Sequence, residues 1–220
     1  MEYSQLGEGI LLVDTSSILD CPPTVTLDGV EYHRFMDRLL LPVTTDRLSQ
    51  PQILTINRWR EREYLSDPQF DINRSVKKEL ARFIGACEFS RILEFGCGIF
   101  GINQYLPSKI KYFAADMDIE AITYLKNNGI KAYHVPDEYK EIEKLEVDCI
   151  VFLFVLHFDI SDDVLAVARN SIRSEGVILA NMCQIEENKR VLLRDRFYRH
   201  GFCVKRLQDD EAEIKNHEYW

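Results

Sequence analysis

Two rhythms of apolar and polar positions run along this chain. Up to about residue 52 the apolar residues come in short β-rich runs, and Pro22, Pro23, Pro42 and Pro51 break the sequence up. Within that stretch "TVTLDGVEYHRF" sets Asp28-Gly29 between two such runs. An Asp-Gly pair suits the positive φ angles of a type I′ turn, so a hairpin is expected over 24–35. Helical spacing follows in "ILTINRWREREYLS", residues 53–66, with Ile56, Trp59 and Tyr64 on one side. A second helix is expected over 75–86, burying Val76, Leu80, Phe83 and Ile84, with Ser75 as its cap.

From Arg91 the rhythm becomes strand and helix in alternation. "RILEF" is a short apolar strand running into glycines, and "KYFAAD" is a strand ending in an acid. "IEAITYLKNNG" is a helix closed by Asn128-Gly129, and "IKAYHV" a strand stopped by Pro136. "DCIVFLFVL" is apolar on both faces, as the middle of a parallel sheet requires. A helix opened by Ser161, the strand "GVILANM", a helix ending at Gly201 and two final strands, "FCVKRLQ" and "AEIKNHEYW", complete the pattern. Such alternation predicts an α/β fold with a doubly wound, mostly parallel sheet. Residues 1–74 are then an N-terminal α/β appendage, and 75–220 the main domain.

Composition narrows the classes. With 46% hydrophobic and 29% charged residues in 220, the chain can bury a core, and disorder is not expected. The net charge of −9 argues against bulk nucleic-acid binding. The longest apolar run, "CIVFLFVLHF", is about half of the ~20 residues a membrane helix needs. The six cysteines, at 21, 87, 97, 149, 183 and 203, form no CxxC pair, and several lie in apolar runs. Reduced thiols in a cytoplasmic protein are expected, and no signal peptide is recognisable. The histidines have no carboxylate or cysteine at ligand spacing, so no metal site is expected.

The chemistry centres on "RILEFGCGIFG", residues 91–101. Gly96-x-Gly98-x-x-Gly101 has the spacing of a dinucleotide loop, while Glu94-x-Gly96-x-Gly98 opens an S-adenosylmethionine (SAM) loop. A carboxylate two residues before the first glycine would repel a diphosphate. It would favour the cationic ammonium and sulfonium of SAM. Asp116, ending the next strand, can accept both hydroxyls of a ribose in either cofactor class.

In these residues the chain resembles the class I SAM-dependent methyltransferases of small-molecule type. The first motif of that family is here Glu94-Phe95-Gly96-Cys97-Gly98, with Phe100 in place of the third glycine and Gly101 one position late. The resemblance implies a seven-stranded sheet with an antiparallel last strand and SAM as cofactor. It places Asp116 on the ribose, Met117 against adenine and Asp137 at the adenine amino group. It also aligns "FVLHF", with Phe154 at the cofactor and His157 as a candidate general base, to the end of the family's fourth strand. Trp59, Arg62 and Tyr64 are candidates for the acceptor pocket. The function implied is methyl transfer to a nitrogen or oxygen of a small metabolite. Two alternatives stay open: an NAD(P)-binding oxidoreductase, and a non-catalytic SAM-binding or interaction protein. The appendage would serve as a cap or as a homodimer contact.

Overall fold

A computed structural model describes residues 1–14, 21–35, 38–43, 48–64, 70–182, 185–205 and 219–220. The chain divides into two compact units, Met1–Leu65 and Ser66–Trp220.

The first unit holds strands β1 (Tyr3–Gly7), β2 (Ile10–Val13), β3 (Thr24–Leu27), β4 (Val30–Phe35) and β5 (Leu39–Pro42), then helix α1 (Gln50–Glu63). The strands form one antiparallel sheet in the order β1-β2-β5-β4-β3. Asp28 and Gly29 turn β3 into β4 with φ of 50° and 79°, both in the left-handed region that a type I′ turn uses. Ile10, Leu11, Val13, Leu39, Leu40 and Leu41 are buried. Helix α1 starts three residues earlier than the periodicity suggests. Ser49 accepts the Gln52 amide and the Gln52 side chain accepts the Ser49 amide, a reciprocal cap. Pro51 falls in the first turn, where a missing N–H costs nothing. Proline thus opens this helix rather than preceding it.

The second unit is the doubly wound part. It contains α2 (Asp71–Ala86), β6 (Arg91–Phe95), β7 (Lys111–Asp116), α3 (Ile119–Asn127), β8 (Lys131–His134), α4 (Tyr139–Ile142), β9 (Val147–Phe152), α5 (Asp162–Ser171), β10 (Ile172–Ala180) and α6 (Glu187–Arg199). Five parallel strands lie in the order β10-β9-β6-β7-β8. One face packs Ile92, Cys149, Val151 and Leu179 against Val76, Leu80 and Ile84 of α2. On the same side Ala114 and Ala132 meet Ile122 and Leu125 of α3. Leu93, Phe95, Phe113 and Phe152 pack with Leu165 and Ala168 of α5 and Leu193 and Phe197 of α6. The Phe95 and Phe152 rings stack at 5.2 Å, and Phe197 closes on Phe152 edge-on at 6.5 Å.

Several boundaries differ from the periodicity. Helix α2 begins at Asp71, so Ser75 lies inside it and caps nothing; the acid in the first turn complements the helix dipole instead. Phe83 is 44% exposed rather than buried. Strand β9 ends at Phe152, not at Leu156. The Phe154 amide is taken by the Asn181 side chain at 2.7 Å and the residue adopts φ 55°, which turns the chain out of the sheet. Of the two terminal strands expected, residues 202–205 are not strand, and 206–218 lie outside the described residues. Tyr219 forms an antiparallel bridge with Asn181, and Trp220 exchanges both backbone hydrogen bonds with Ala180. Among the described residues, no helix is long and apolar enough to cross a membrane.

Asp148 pins the lower edge of the sheet. It accepts the Ser90 amide at 2.8 Å, the Ser90 hydroxyl at 2.7 Å and the Arg91 amide at 2.9 Å, and it pairs with Arg173. Burial pushes its carboxyl up, but these donors and the Arg173 charge outweigh that and hold it below the ordinary aspartate value. A carboxyl whose folded pKa is depressed adds stability above its unfolded value, about 3.9, and loses it as pH falls through the folded value. Asp148→Ala should therefore cost about 2 kcal/mol in urea unfolding at pH 7. The deficit should vanish toward pH 2, and a deficit independent of pH would deny the carboxylate this role.

Candidate functional site

The parallel sheet places its ligand edge at the carboxyl ends of the strands. After β6 the chain moves to β7 and β8 on one side; after β8 it crosses to β9 and β10 on the other. The switch point is therefore between β6 and β9. The loop 96–101 leaves β6 there, and Phe154 and His157 follow β9. Asp116 and Met117 end neighbouring β7, and Asp137 follows β8.

The loop is shaped by close approach. Gly96 has φ 67°, and a Cβ on it would stand 2.4 Å from Val155 Cγ2. Only glycine meets both conditions. Its amide donates to Ala115 O at 2.8 Å, tying the loop to β7. Gly101 is glycine for a different reason. Its φ of −65° suits any residue. A Cβ there, however, would lie 2.3 Å from Tyr112 Oη, 2.8 Å from Asn103 Oδ1 and 2.9 Å from Glu94 Oε2. The displaced third glycine thus makes room for a buried polar contact.

Two carboxylates underlie this loop. Asp116, 3% exposed, accepts the Gly98 amide through Oδ2 at 2.8 Å and the Asp118 amide through Oδ1 at 2.9 Å. Glu94, 1% exposed, accepts the Ile102 amide at 2.8 Å and the Tyr112 hydroxyl at 2.6 Å, both through Oε2. Burial raises both carboxyls above their ordinary values. The Lys77 charge opposes the rise at Glu94, and the Asp118, Gly98 and Met117 amides oppose it at Asp116.

The Met117 amide bears on the same carboxylate, and a carboxylate offers about four acceptor sites, so Asp116 keeps room for a ribose hydroxyl. Beside it, the His134 ring spans from Met117 O at 3.1 Å to the Asp137 carboxylate at 2.8 Å. Met117 is partly buried against the core, and the Asp137 side chain is 72% exposed. Cys97 is buried, with Sγ 3.8 Å from Ala115 O, and Phe95 and Phe154 are also buried. His157 lies in a short 3-10 turn, Leu156–Phe158, with its ring 3.9 Å from that of Phe158. Trp59 and Tyr64 are buried and Arg62 is exposed; all three belong to the first unit.

Lys77, Tyr112, Val155 and Asn181 shape the loop and the β9 exit without having been singled out from sequence. Lys77 carried a signal, since it is a lysine next to Val76 on the apolar side of α2. Asn181 carried none, because its partner is Phe154, 27 residues away.

No protein-family model and no curated protein matches the sequence. Solved structures do match. A TehB-like SAM-dependent methyltransferase from Corynebacterium glutamicum superposes with a TM-score of 0.53 at 15% identity, over 76% of this chain and 93% of that one. A SAM-dependent methyltransferase from Aquifex aeolicus gives 0.52 at 16% identity, over 71% and 93%. At these identities the likeness is one of architecture: the chain has the Rossmann-like fold of the SAM-dependent methyltransferases.

Proposed function

We propose that this protein is a SAM-dependent methyltransferase acting on a nitrogen or oxygen of a small molecule. One observation carries the choice of cofactor. The Gly98 and Ile102 amides, which a dinucleotide loop would offer to a diphosphate, are committed to the buried carboxylates of Asp116 and Glu94. With the Lys77 charge offsetting one of them, the two buried carboxylates leave a net negative charge beneath the loop, which repels phosphate and tolerates a cationic ligand. That disfavours the NAD(P) alternative.

The loop Gly96–Gly98 would carry the amino-acid end of the cofactor, Asp116 the ribose, and Met117 and Asp137 the adenine. SAM bound there supplies a methyl group already activated by positive sulfur. The chain then has to align an acceptor at about 3 Å, exclude water and, for an acceptor that must lose a proton, take it. His157 is the candidate for that last task.

Calorimetry with S-adenosylhomocysteine tests the proposal. Binding should occur in the absence of any acceptor, and NAD and NADP should not bind. Hydrogen bonds to a charged acceptor are worth roughly 1.5–3 kcal/mol each, so Asp116→Ala should weaken binding at least about tenfold. Binding of NAD alone would end the methyltransferase proposal. Release of S-adenosylhomocysteine from SAM in a metabolite extract would separate an enzyme from a non-catalytic binder.

A further inference from the structure

Lys77 sits on the apolar face of α2 among Val76, Leu80 and Ala81 and is only 7% exposed. A buried ammonium requires an acceptor and a nearby opposite charge. It has both: its Nζ donates to the Phe100 carbonyl, and it is close enough to Glu94 to oppose the rise that burial imposes on that carboxyl. Glu94 in turn holds the Ile102 amide, and Tyr112 donates to the same oxygen. The segment 100–102 is thus gripped on both sides of Gly101. A cation from α2 takes the carbonyl before it, and an anion from β6, oriented by a hydroxyl from β7, takes the amide after it.

We propose that Lys77, Glu94 and Tyr112 form a clamp that sets the path of the cofactor loop. Lys77 and Tyr112 are positioning residues, and Glu94 works through the loop rather than on the ammonium group of the ligand. This rests on the methyltransferase proposal. It also accounts for the late glycine. A clamp that closes on residue 102 needs its cleared space at 101, where a side chain would meet the Tyr112 hydroxyl and the Glu94 carboxylate.

The test uses the full chain with Lys77→Met, Tyr112→Phe, Glu94→Gln and the Lys77→Met/Glu94→Gln double variant. Affinity for S-adenosylhomocysteine and Tm are measured on each. The clamp predicts a loss of about tenfold in affinity for every single variant. The double variant should lose little more than either single one, since the groups act as one unit. Wild-type affinity in Lys77→Met with a lowered Tm would show that Lys77 only supports the fold, and would overturn the proposal. So would a loss confined to Glu94→Gln, which would put that carboxylate on the ligand itself. Tyr112→Phe removes a single hydroxyl and keeps the test open should the charge variants fail to fold. Amide exchange at Ile102 in the ligand-free protein is a separate readout. It should accelerate in Lys77→Met and Tyr112→Phe even if the wild type binds no S-adenosylhomocysteine, and unchanged exchange would overturn the clamp alone.

Discussion

Gly101→Ala should destabilise the second unit by about 1–3 kcal/mol, the usual cost of forcing a methyl group into filled space, and should weaken S-adenosylhomocysteine binding at least about tenfold. The backbone does not contribute to this loss, because φ at Gly101 is −65° and alanine adopts it freely. The whole effect is steric and polar. The new Cβ would start 2.3 Å from Tyr112 Oη and 2.9 Å from Glu94 Oε2, so the hydroxyl or the carboxylate has to move. Either movement breaks a hydrogen bond on a group that is 1% exposed, and a buried carboxylate left short of donors is costly. For a chain of this size the shift in Tm is roughly 2–4 °C per kcal/mol. Tyr112→Phe in the Gly101→Ala background removes the nearest obstacle and should recover part of the lost Tm, but not the affinity. If Gly101→Ala alone kept wild-type Tm and affinity, the loop would have to have slack that its packing does not suggest.

His157→Ala should lower the rate of methyl transfer by about 10²–10⁴ while S-adenosylhomocysteine affinity stays within about threefold, if the imidazole takes the acceptor's proton. The residue sits at the carboxyl edge of the sheet, in the turn Leu156–Phe158. Asp159 follows it at φ 54°, and Arg196 of α6 holds the segment by donating to Asp159 Oδ1 at 2.8 Å, to Asp162 Oδ1 at 3.0 Å and to the Ile160 carbonyl. These contacts fix the segment that follows the ring. A fall in affinity and Tm together with the rate would instead assign the ring a packing role beside Phe158. An unchanged rate would show that His157 is not the base.

The parts of this protein that its sequence determined unaided are those governed by neighbours in the chain. Strands 91–95 and 111–116 follow from short apolar runs ended by glycine or acid. The end of α3 follows from Asn128 and Gly129, the latter at φ 77°. The Asp28-Gly29 turn follows from the freedom of those two residues at positive φ. Glu94 and Asp116 stood out as acids at strand ends, which is a matter of order along the chain. Tertiary structure decided the rest. Periodicity carried "DCIVFLFVL" to Leu156 as strand, yet Asn181 captures the Phe154 amide and ends it at Phe152. Ser75 looked like a cap, but the chain before it was already helical from Asp71. Glu94 suggested a partner for the ligand's ammonium, whereas its described hydrogen bonds go to Ile102 and Tyr112, with the Lys77 charge nearby. Gly101 read as a misplaced loop glycine until Tyr112, 11 positions on, filled the space beside it. A hydrophobic pattern reports which side of an element is buried. It does not report which atoms from a distant strand or helix arrive there, and those arrivals set the loop, the strand end and the charge environment of the site.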